Sequence, residues 1–415
     1  MNTVGIVAEY NPFHTGHAYQ IGQTRAELGP ESAVVAVMSG NWVQQANCAV
    51  ADKWTRARLA LMGGADLVLE LPTVWAAASA EAFAQGAVRI LEATGVVDVL
   101  SFGSECGDVD QLRQVAACLD SPVYQAGLAR FLGEGMTFAS CRQAAVRGIL
   151  GKELSELLSA PNNNLGIEYI RALNALDSKI RPMTILRQGA GHNTLSIPDP
   201  PPRFVSATQI RADLELGNWE KAQPYLIPGG QAVLKAAGQP PSLARAERAI
   251  LRKLRTMTVQ DWARLPDSGE TEGLPQRLER AGRQCTSLEG FFELAKTKRY
   301  THARLRRLVL WAFLGLGQTD RPEHPPYLRV LGFNARGREL LKEMKKRASL
   351  PILTKPAYAR ELETGVRRLF ELEARCTDLY DLCLEHIPEP GREWRAGPVI
   401  LGTDGEERRQ QNERF

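Results

Sequence analysis

Seven residues near the amino terminus carry the strongest chemical signal: Asn11-Pro12-Phe13-His14-Thr15-Gly16-His17, set after the β-branched run Val4 to Ala8 and before the amphipathic stretch Ala18 to Leu28. A strand, a tight turn and a helix start in that order leave free backbone N–H groups and the positive helix end at the strand's carboxyl edge, where a phosphate fits. Gly16 has no side chain to hold a nucleotide away from the backbone. His14 and His17, three residues apart on the first turn, can point at one phosphate and donate hydrogen bonds to it. As a bare pattern, two histidines around a glycine suit a metal pair or an ordinary surface equally well. Their place at the end of the first strand favours a nucleotide site.

A second candidate is Ser206-Ala207-Thr208-Gln209-Ile210-Arg211, where Ser206 is a natural N-cap for a helix ending before Gly217. The third signal is charge. The whole chain of 415 residues is only +4, but residues 241–415 hold 33 Lys/Arg against 25 Asp/Glu, leaving residues 1–240 at −4. The excess sharpens between Lys296 and Arg347, with 14 basic and 4 acidic residues, the footprint of a polyanion-binding surface. Lys296, Lys298, Arg299, Arg304, Arg306 and Arg307 have Tyr300 and His302 interleaved as stacking partners for bases. Tyr327, Arg329, Phe333, Arg336 and Arg338 form another group, and Lys342, Lys345, Lys346 and Arg347 a third. A solvated helix face is the plainer reading of any single cluster.

These groups need a frame. Val4 to Ala8, Ala33 to Met38, Asp66 to Leu71 and Val96 to Phe102 are continuous apolar runs, as expected of strands buried on both faces. Between them, Asp52 caps a helix running to Met62, and Ser79 opens another ending before Gly95. The order β-α-β-α-β-α-β predicts an open α/β parallel sheet, with ligands beyond the carboxyl ends of its strands. Helices are predicted near 108–119, 138–150 and 165–176, a returning strand at Met183 to Arg187, and a loop over the prolines of Ile197 to Arg203. The Gly/Pro-rich stretch Pro228 to Pro241 predicts a boundary, giving domains 1–240 and 241–415, the second nearly all helical with a frayed tail at 406–415.

No run approaches 18 uninterrupted apolar residues, and the first twenty residues contain Glu9 but no Lys or Arg, so neither a membrane span nor a signal peptide is predicted and a cytoplasmic location is expected. Seven scattered cysteines without a C-x-x-C pair argue against a disulfide framework and a zinc site, and for small buried hydrophobes.

Asn11 to His17 resembles the H-x-G-H signature of the nucleotidylyltransferase superfamily, and Ser206 to Arg211 its second signature. More narrowly, the chain resembles the bacterial tRNA(Met) cytidine acetate ligase family over nearly its full length. The matching stretches are Ile6 to Tyr19, Ser39-Gly40-Asn41, Asp52-Lys53-Trp54 with Arg56, Ala65 to Pro72, Ser101 to Glu105, Pro161 to Tyr169, Arg187 with Gly189-Ala190-Gly191, Ser206 to Arg211, Lys298 to Arg304 and Tyr327 to Asn334. It departs at Gln44-Gln45-Ala46, where the family usually has Gln-Arg-Gly, and at His192-Asn193, where it tends to have Tyr-His-Asp.

The resemblance implies a Rossmann-like open parallel sheet of nucleotidylyltransferase type followed by a mainly α-helical, basic C-terminal domain. It implies an enzyme that joins acetate to ATP as acetyl-adenylate and then acylates the wobble cytidine of elongator tRNA(Met), with no acetyl-CoA. ATP would lie along Val7, Ala8, Glu9, Tyr10, Asn11, Pro12, Phe13, His14, Thr15, Gly16, His17, Ala18, Tyr19 and Gln20, with contacts from Gly103, Asn163 and Arg187. His14 and His17 would be catalytic, and Arg187 and Arg211 candidate phosphate clamps; Asn162 reads as a helix cap. Asp52 and Lys53 are candidates for substrate positioning, and a cap and a surface lysine explain them equally well. Lys298, Arg299, Arg304, Arg306, Arg307, Arg336, Lys345 and Lys346 are the expected tRNA contacts. No carboxylate cluster marks a dedicated metal site, so Mg2+ is expected to arrive with ATP. Two other functions fit less well: an adenylyltransferase making a dinucleotide-type cofactor needs no basic helical half, and a non-catalytic RNA-binding protein needs no intact His14, Gly16 and His17.

Overall fold

The computed structural model describes residues 2–134, 137–188, 203–269 and 273–402. Gly189 to Asn193, most of the proline-rich loop and the tail at 406–415 lie outside them. Ten strands occur among the described residues: β1 (Thr3–Ala8), β2 (Ala33–Ser39), β3 (Trp42–Val43), β4 (Asn47–Cys48), β5 (Leu67–Leu71), β6 (Val99–Ser104), β7 (Arg181–Leu186), β8 (Leu328–Phe333), β9 (Ile352–Leu353) and β10 (Val399–Ile400). The main sheet runs β10-β8-β5-β2-β1-β6-β7, with β9 beside β8, and β3 and β4 form a separate hairpin. Strands β5, β2, β1, β6 and β7 are mutually parallel, while β8 is antiparallel to β5.

The two faces of the sheet are read off β2 with period two: Val35 and Val37 join one apolar cluster with Leu67, Leu69, Phe83 and Leu91, while Val34, Ala36 and Met38 join the other with Val4, Ile6 and Leu59. Helices are set by the expected caps. Asp52 accepts from the Thr55 N–H at 2.8 Å, Ser79 from Ala82 and Ser206 from Gln209. Helix Ala80–Ala93 packs closely on Trp75 because a Cβ at Gly86 would lie 2.5 Å from that ring.

The predicted N-terminal strands and crossover helices are present, and the open parallel α/β sheet with them. The C-terminal half is mainly helical, as expected, and in addition β8 and β10 extend the N-terminal sheet. A short buried run such as Leu328 to Phe333, apolar apart from Arg329, has the same sequence pattern in a central strand as in a buried helix. The core also crosses residue 240 directly. The indole N–H of Trp42 donates to the Cys376 carbonyl at 2.9 Å, that of Trp311 to Ala77 at 2.7 Å, and the Tyr380 hydroxyl to Ala49 at 3.0 Å. Lys53, for which the sequence leaves a surface position and a substrate contact equally open, is instead fully buried, with Nζ 2.6 Å from both Glu70 and Glu393. It therefore fastens the two halves together through Glu70 and Glu393. Arg329 and Tyr327, placed with the basic cluster by sequence, are likewise buried, Arg329 Nε lying 3.6 Å from Glu393. Helix Pro122–Gly133 is an addition to the expected elements.

Candidate active site

Chain order brings the first motif to the carboxyl edge of the sheet. Tyr10 takes a φ of 45°, the Asn11–Pro12 peptide is cis, and the chain turns from β1 into helix Thr15–Leu28. Arg56 holds the turn from within: wholly buried, it donates to the carbonyls of Glu9 at 2.6 Å, Ala51 at 3.0 Å and Ser39 at 3.0 Å, and also to Gly40. Asn11 Oδ1 accepts from the Val50 N–H at 2.7 Å, and Glu9 Oε1 from the Gln44 N–H at 2.7 Å. Phe13 is buried because Gly63 leaves room for it; a Cβ there would fall 2.1 Å from the ring. Of the expected contacts, Asn11 and Glu9 therefore shape the turn with side chains that are already engaged.

The two histidines cap the helix reciprocally. His14 is the N-cap and its Nδ1 accepts from the Gly16 N–H at 3.0 Å, while His17 Nδ1 accepts from the His14 N–H at 3.3 Å. A ring nitrogen that accepts carries no proton, so each neutral imidazole keeps its proton on Nε2. The rings lie 3.9 Å apart, tilted by 38°. Gly16 makes this fit, since a Cβ on it would sit 2.7 Å from His14 Cε1. Burial, reinforced by the Arg187 and Arg211 guanidinium groups, lowers the His14 pKa to about 3. Burial, His14 and Arg187 hold His17 well below its ordinary value. Both are neutral Nε2–H donors at physiological pH, beside a helix N-terminus and two permanent cations. That is an oxyanion-stabilising arrangement.

Arg211 reaches this site from the second signature. Its guanidinium donates to the Asn11 carbonyl at 2.8 Å and to Thr208 Oγ1 at 3.1 Å, so helix Ala207–Glu215 is docked on the motif turn. Arg187 leaves the end of β7, its N–H bonded to the Ser104 carbonyl at 2.9 Å and its stem over Gly103, where a Cβ would lie 3.2 Å from Cγ. His14, His17, Arg187 and Arg211 thus come together, with Gly103 beneath Arg187. Asn163 is wired differently from a simple ligand contact. It is buried, its Oδ1 accepting from the N–H groups of Glu105 at 2.9 Å and Cys106 at 3.2 Å, which leaves only its Nδ2 uncommitted. Asn162 lies inside helix Pro161–Ala175 rather than capping it, and donates to Glu105 Oε1 at 2.6 Å. Gln20 Nε2 donates to the Ser101 carbonyl at 3.3 Å, and Tyr19 packs on Phe204. Asp52 is a cap, further tied to Arg392 at 2.9 Å. Among the described residues no group of three or more His, Cys, Asp or Glu gathers to hold a metal ion.

The basic residues divide between two places. Lys298, Arg299 and Arg306 are exposed around the start of helix His302–Leu314, whose later turns pack on the carboxyl-edge loops through Trp311 and Phe313. On the same helix Arg304 donates to the Asp267 carbonyl at 2.7 Å and Arg307 lies 3.5 Å from the Asp267 carboxylate. Tyr300 is buried, which removes it as a stacking surface; His302 stays exposed. Helix Ala335–Arg347 is elsewhere, at the amino edge. A Cβ on its Gly337 would lie 1.9 Å from the Asp66 carbonyl, and Arg336 pairs with Glu31 at 3.0 Å. Lys345 and Lys346 are exposed there, Lys346 paired with Glu343 at 2.8 Å. Sequence spacing gives no means of separating these two locations, because β8 between them reverses the direction of the chain.

A turn-and-helix start presenting paired imidazoles, with a second signature helix docked on it, defines a class. Residues 1–392 match the family model described as HIGH nucleotidyl transferase. Curated relatives named tRNA(Met) cytidine acetate ligase include one from Thermoanaerobacter sp., 36% identical over 395 residues covering 93% of this chain and 96% of the relative. Another, from Clostridium kluyveri, is 37% identical over 421 residues covering 97% and 99%. The crystal structure of Thermotoga maritima TmcAL bound with alpha-thio ATP is 33% identical with a TM-score of 0.88, covering 97% of this chain and all of that one; its apo form I gives 0.90 at 34% identity. The chain belongs to the HIGH nucleotidyl transferase family and, within it, to the tRNA(Met) cytidine acetate ligases. No helix among the described residues is long and apolar enough to cross a membrane.

Proposed function

We propose that the chain is an ATP-dependent ligase that activates acetate as acetyl-adenylate and transfers the acetyl group to N4 of the wobble cytidine, C34, of elongator tRNA(Met). The observation that carries the reading is the pair of neutral imidazoles, His14 and His17, with Nε2–H free and Arg187 and Arg211 alongside. An acetate oxygen attacks the α-phosphorus of ATP, and the bond to the bridging oxygen breaks as diphosphate leaves. Negative charge gathers on the phosphoryl oxygens, where fixed donors lower the barrier most. Mg2+ arriving with ATP would neutralise part of the phosphate charge. The residues for this step are His14, His17, the helix N-terminus, Arg187 and Arg211, with Val7 to Gln20, Gly103 and Asn163 forming the bed for ATP.

In the second step the cytidine N4 attacks the acetyl carbonyl, the C–N bond forms, AMP departs and the amine loses a proton. The amine is a weak nucleophile because its lone pair is delocalised into the ring, and the acyl-adenylate supplies the driving force. A loop base is free to leave its stack and enter the site. No acetyl-CoA is required, and the reaction is suited to the cytoplasm. The test is incubation with ATP, labelled acetate and total tRNA, followed by nucleoside analysis. Label in N4-acetylcytidine with AMP formed is expected; transfer only when acetyl-CoA is supplied would overturn the proposal.

A further inference from the structure

A cleft of about 550 Å3 lies between the β3–β4 turn, the end of helix Ala207–Glu215 and helices Leu288–Ala295 and His302–Leu314. Its walls include Gln45, Asn47, Glu215, Phe292 and Arg306. The volume suits a ligand of nucleotide size, since such pockets span roughly 300–1,000 Å3. The chemistry is also that of a nucleotide site: side-chain amides for a base edge, an aromatic ring for its face and a guanidinium for a phosphate. Phe292 is half-buried in the wall, its ring 6.5 Å from that of the exposed His302. Arg306 is exposed and makes no hydrogen bond or ion pair among the described residues, whereas Arg304 and Arg307 are turned to Asp267. Arg245 adds a second guanidinium, held by the carbonyls of Pro240 at 2.8 Å and Cys383 at 3.2 Å. Glu215 is the only carboxylate among the described wall residues, so the cleft is cationic on balance.

Two connections tie the walls of the cleft to the turn that carries the imidazole pair. Gln45 follows Gln44, whose N–H is held by Glu9, and Glu215 lies one helical turn after Arg211, which holds the Asn11 carbonyl. A polymer with one residue at the imidazoles therefore has a neighbouring seat beside it, and the exposed Lys298 and Arg299 lie beyond on the same segment as Arg306.

We propose that this cleft seats an unpaired nucleotide of the RNA loop next to the cytidine being acetylated, its base against Phe292 and its phosphate at Arg306. The inference rests on the ligase reading and deepens it. Loop bases are splayed and read by stacking and by their edges, so a fixed seat for the neighbour sets the register that brings one particular cytidine to the acetyl group. Contacts to phosphates alone would position the backbone without choosing the base.

The test uses the full chain and an RNA stem-loop carrying 2-aminopurine on one side or the other of the cytidine. One of the two positions should be quenched on binding. The quench should be lost in Phe292→Ala and kept in Phe292→Tyr. Arg306→Ala should weaken binding about tenfold and reduce the slope of log affinity against log salt by roughly 0.7, with the slope restored by Arg306→Lys. A quench indifferent to Phe292→Ala, or a slope indifferent to Arg306→Ala, overturns the cleft assignment while acetylation of full tRNA by the wild type leaves the ligase reading standing. Failure of the wild type to acetylate tRNA from ATP and acetate overturns both.

Discussion

The amino edge of the sheet uses its basic residues as fasteners: Arg25 pairs with Asp66 at 2.8 Å, Arg336 with Glu31 at 3.0 Å, and Lys342 and Lys346 with glutamates on their own helix at 2.9 and 2.8 Å. At the carboxyl edge, His14 and His17 engage only Nδ1 in the helix cap, and Arg306 stands at a cleft without a partner among the described residues. Both edges carry basic residues, with opposite chemical capacity. What separates them is whether a donor's partner is supplied by the fold or left to a ligand.

The largest effect should come from removing the carboxyl-edge donors. His14→Asn keeps an acceptor for the helix cap but loses Nε2–H, and AMP formation should fall about 10²–10³-fold, as expected for one oxyanion donor. An unchanged rate would remove the imidazole from the chemistry. Next, neutralising Lys298, Arg299 and Arg306 together should lower the salt slope of tRNA binding by about 2, whereas neutralising Lys342, Lys345 and Lys346 should change it by less than about 1. Equal effects at the two edges would break the comparison and return the amino-edge helix to the RNA surface. Gly16→Ala should cost roughly 1–3 kcal/mol in thermal or denaturant stability, because its methyl group collides with the His14 ring.

A pH dependence is negligible near neutral pH and grows only as the pH falls. The unfolded chain protonates His14 near its ordinary value of 6.5, while the native site resists protonation down to about pH 3. The unfolded state therefore binds more protons across that window. Stability fully present above pH 6.5 should decline as the pH falls toward 3, by at most about 1.4 kcal/mol per pH unit from this group. A denaturation series in which His14→Asn flattens the decline supports the assignment; an identical slope in the variant contradicts it.

The first motif and the early strands were legible because their signals are local: apolar runs of strand length, caps such as Asp52 and Ser206, and a glycine between two histidines. Three features were not. Lys53 reads as a surface charge until Glu70 and Glu393, distant in sequence, enclose it. Tyr300 reads as a stacking platform until its neighbours bury it. The run Leu328 to Phe333, apolar apart from Arg329, reads equally as helix or strand, and its pairing with β5 puts the basic helix that follows it at the amino edge. The sequence signal for the cleft was also indirect. Arg306 stood in a cluster whose members the fold then divided between Asp267 and open space.

We propose that the carboxyl-edge imidazoles activate acetate on ATP before RNA takes part. Exchange of labelled diphosphate into ATP, followed without RNA, tests it most directly. The account predicts exchange that requires acetate and falls about 10²–10³-fold in His14→Asn. Exchange without acetate, or acetate-dependent exchange that His14→Asn leaves intact, would contradict it.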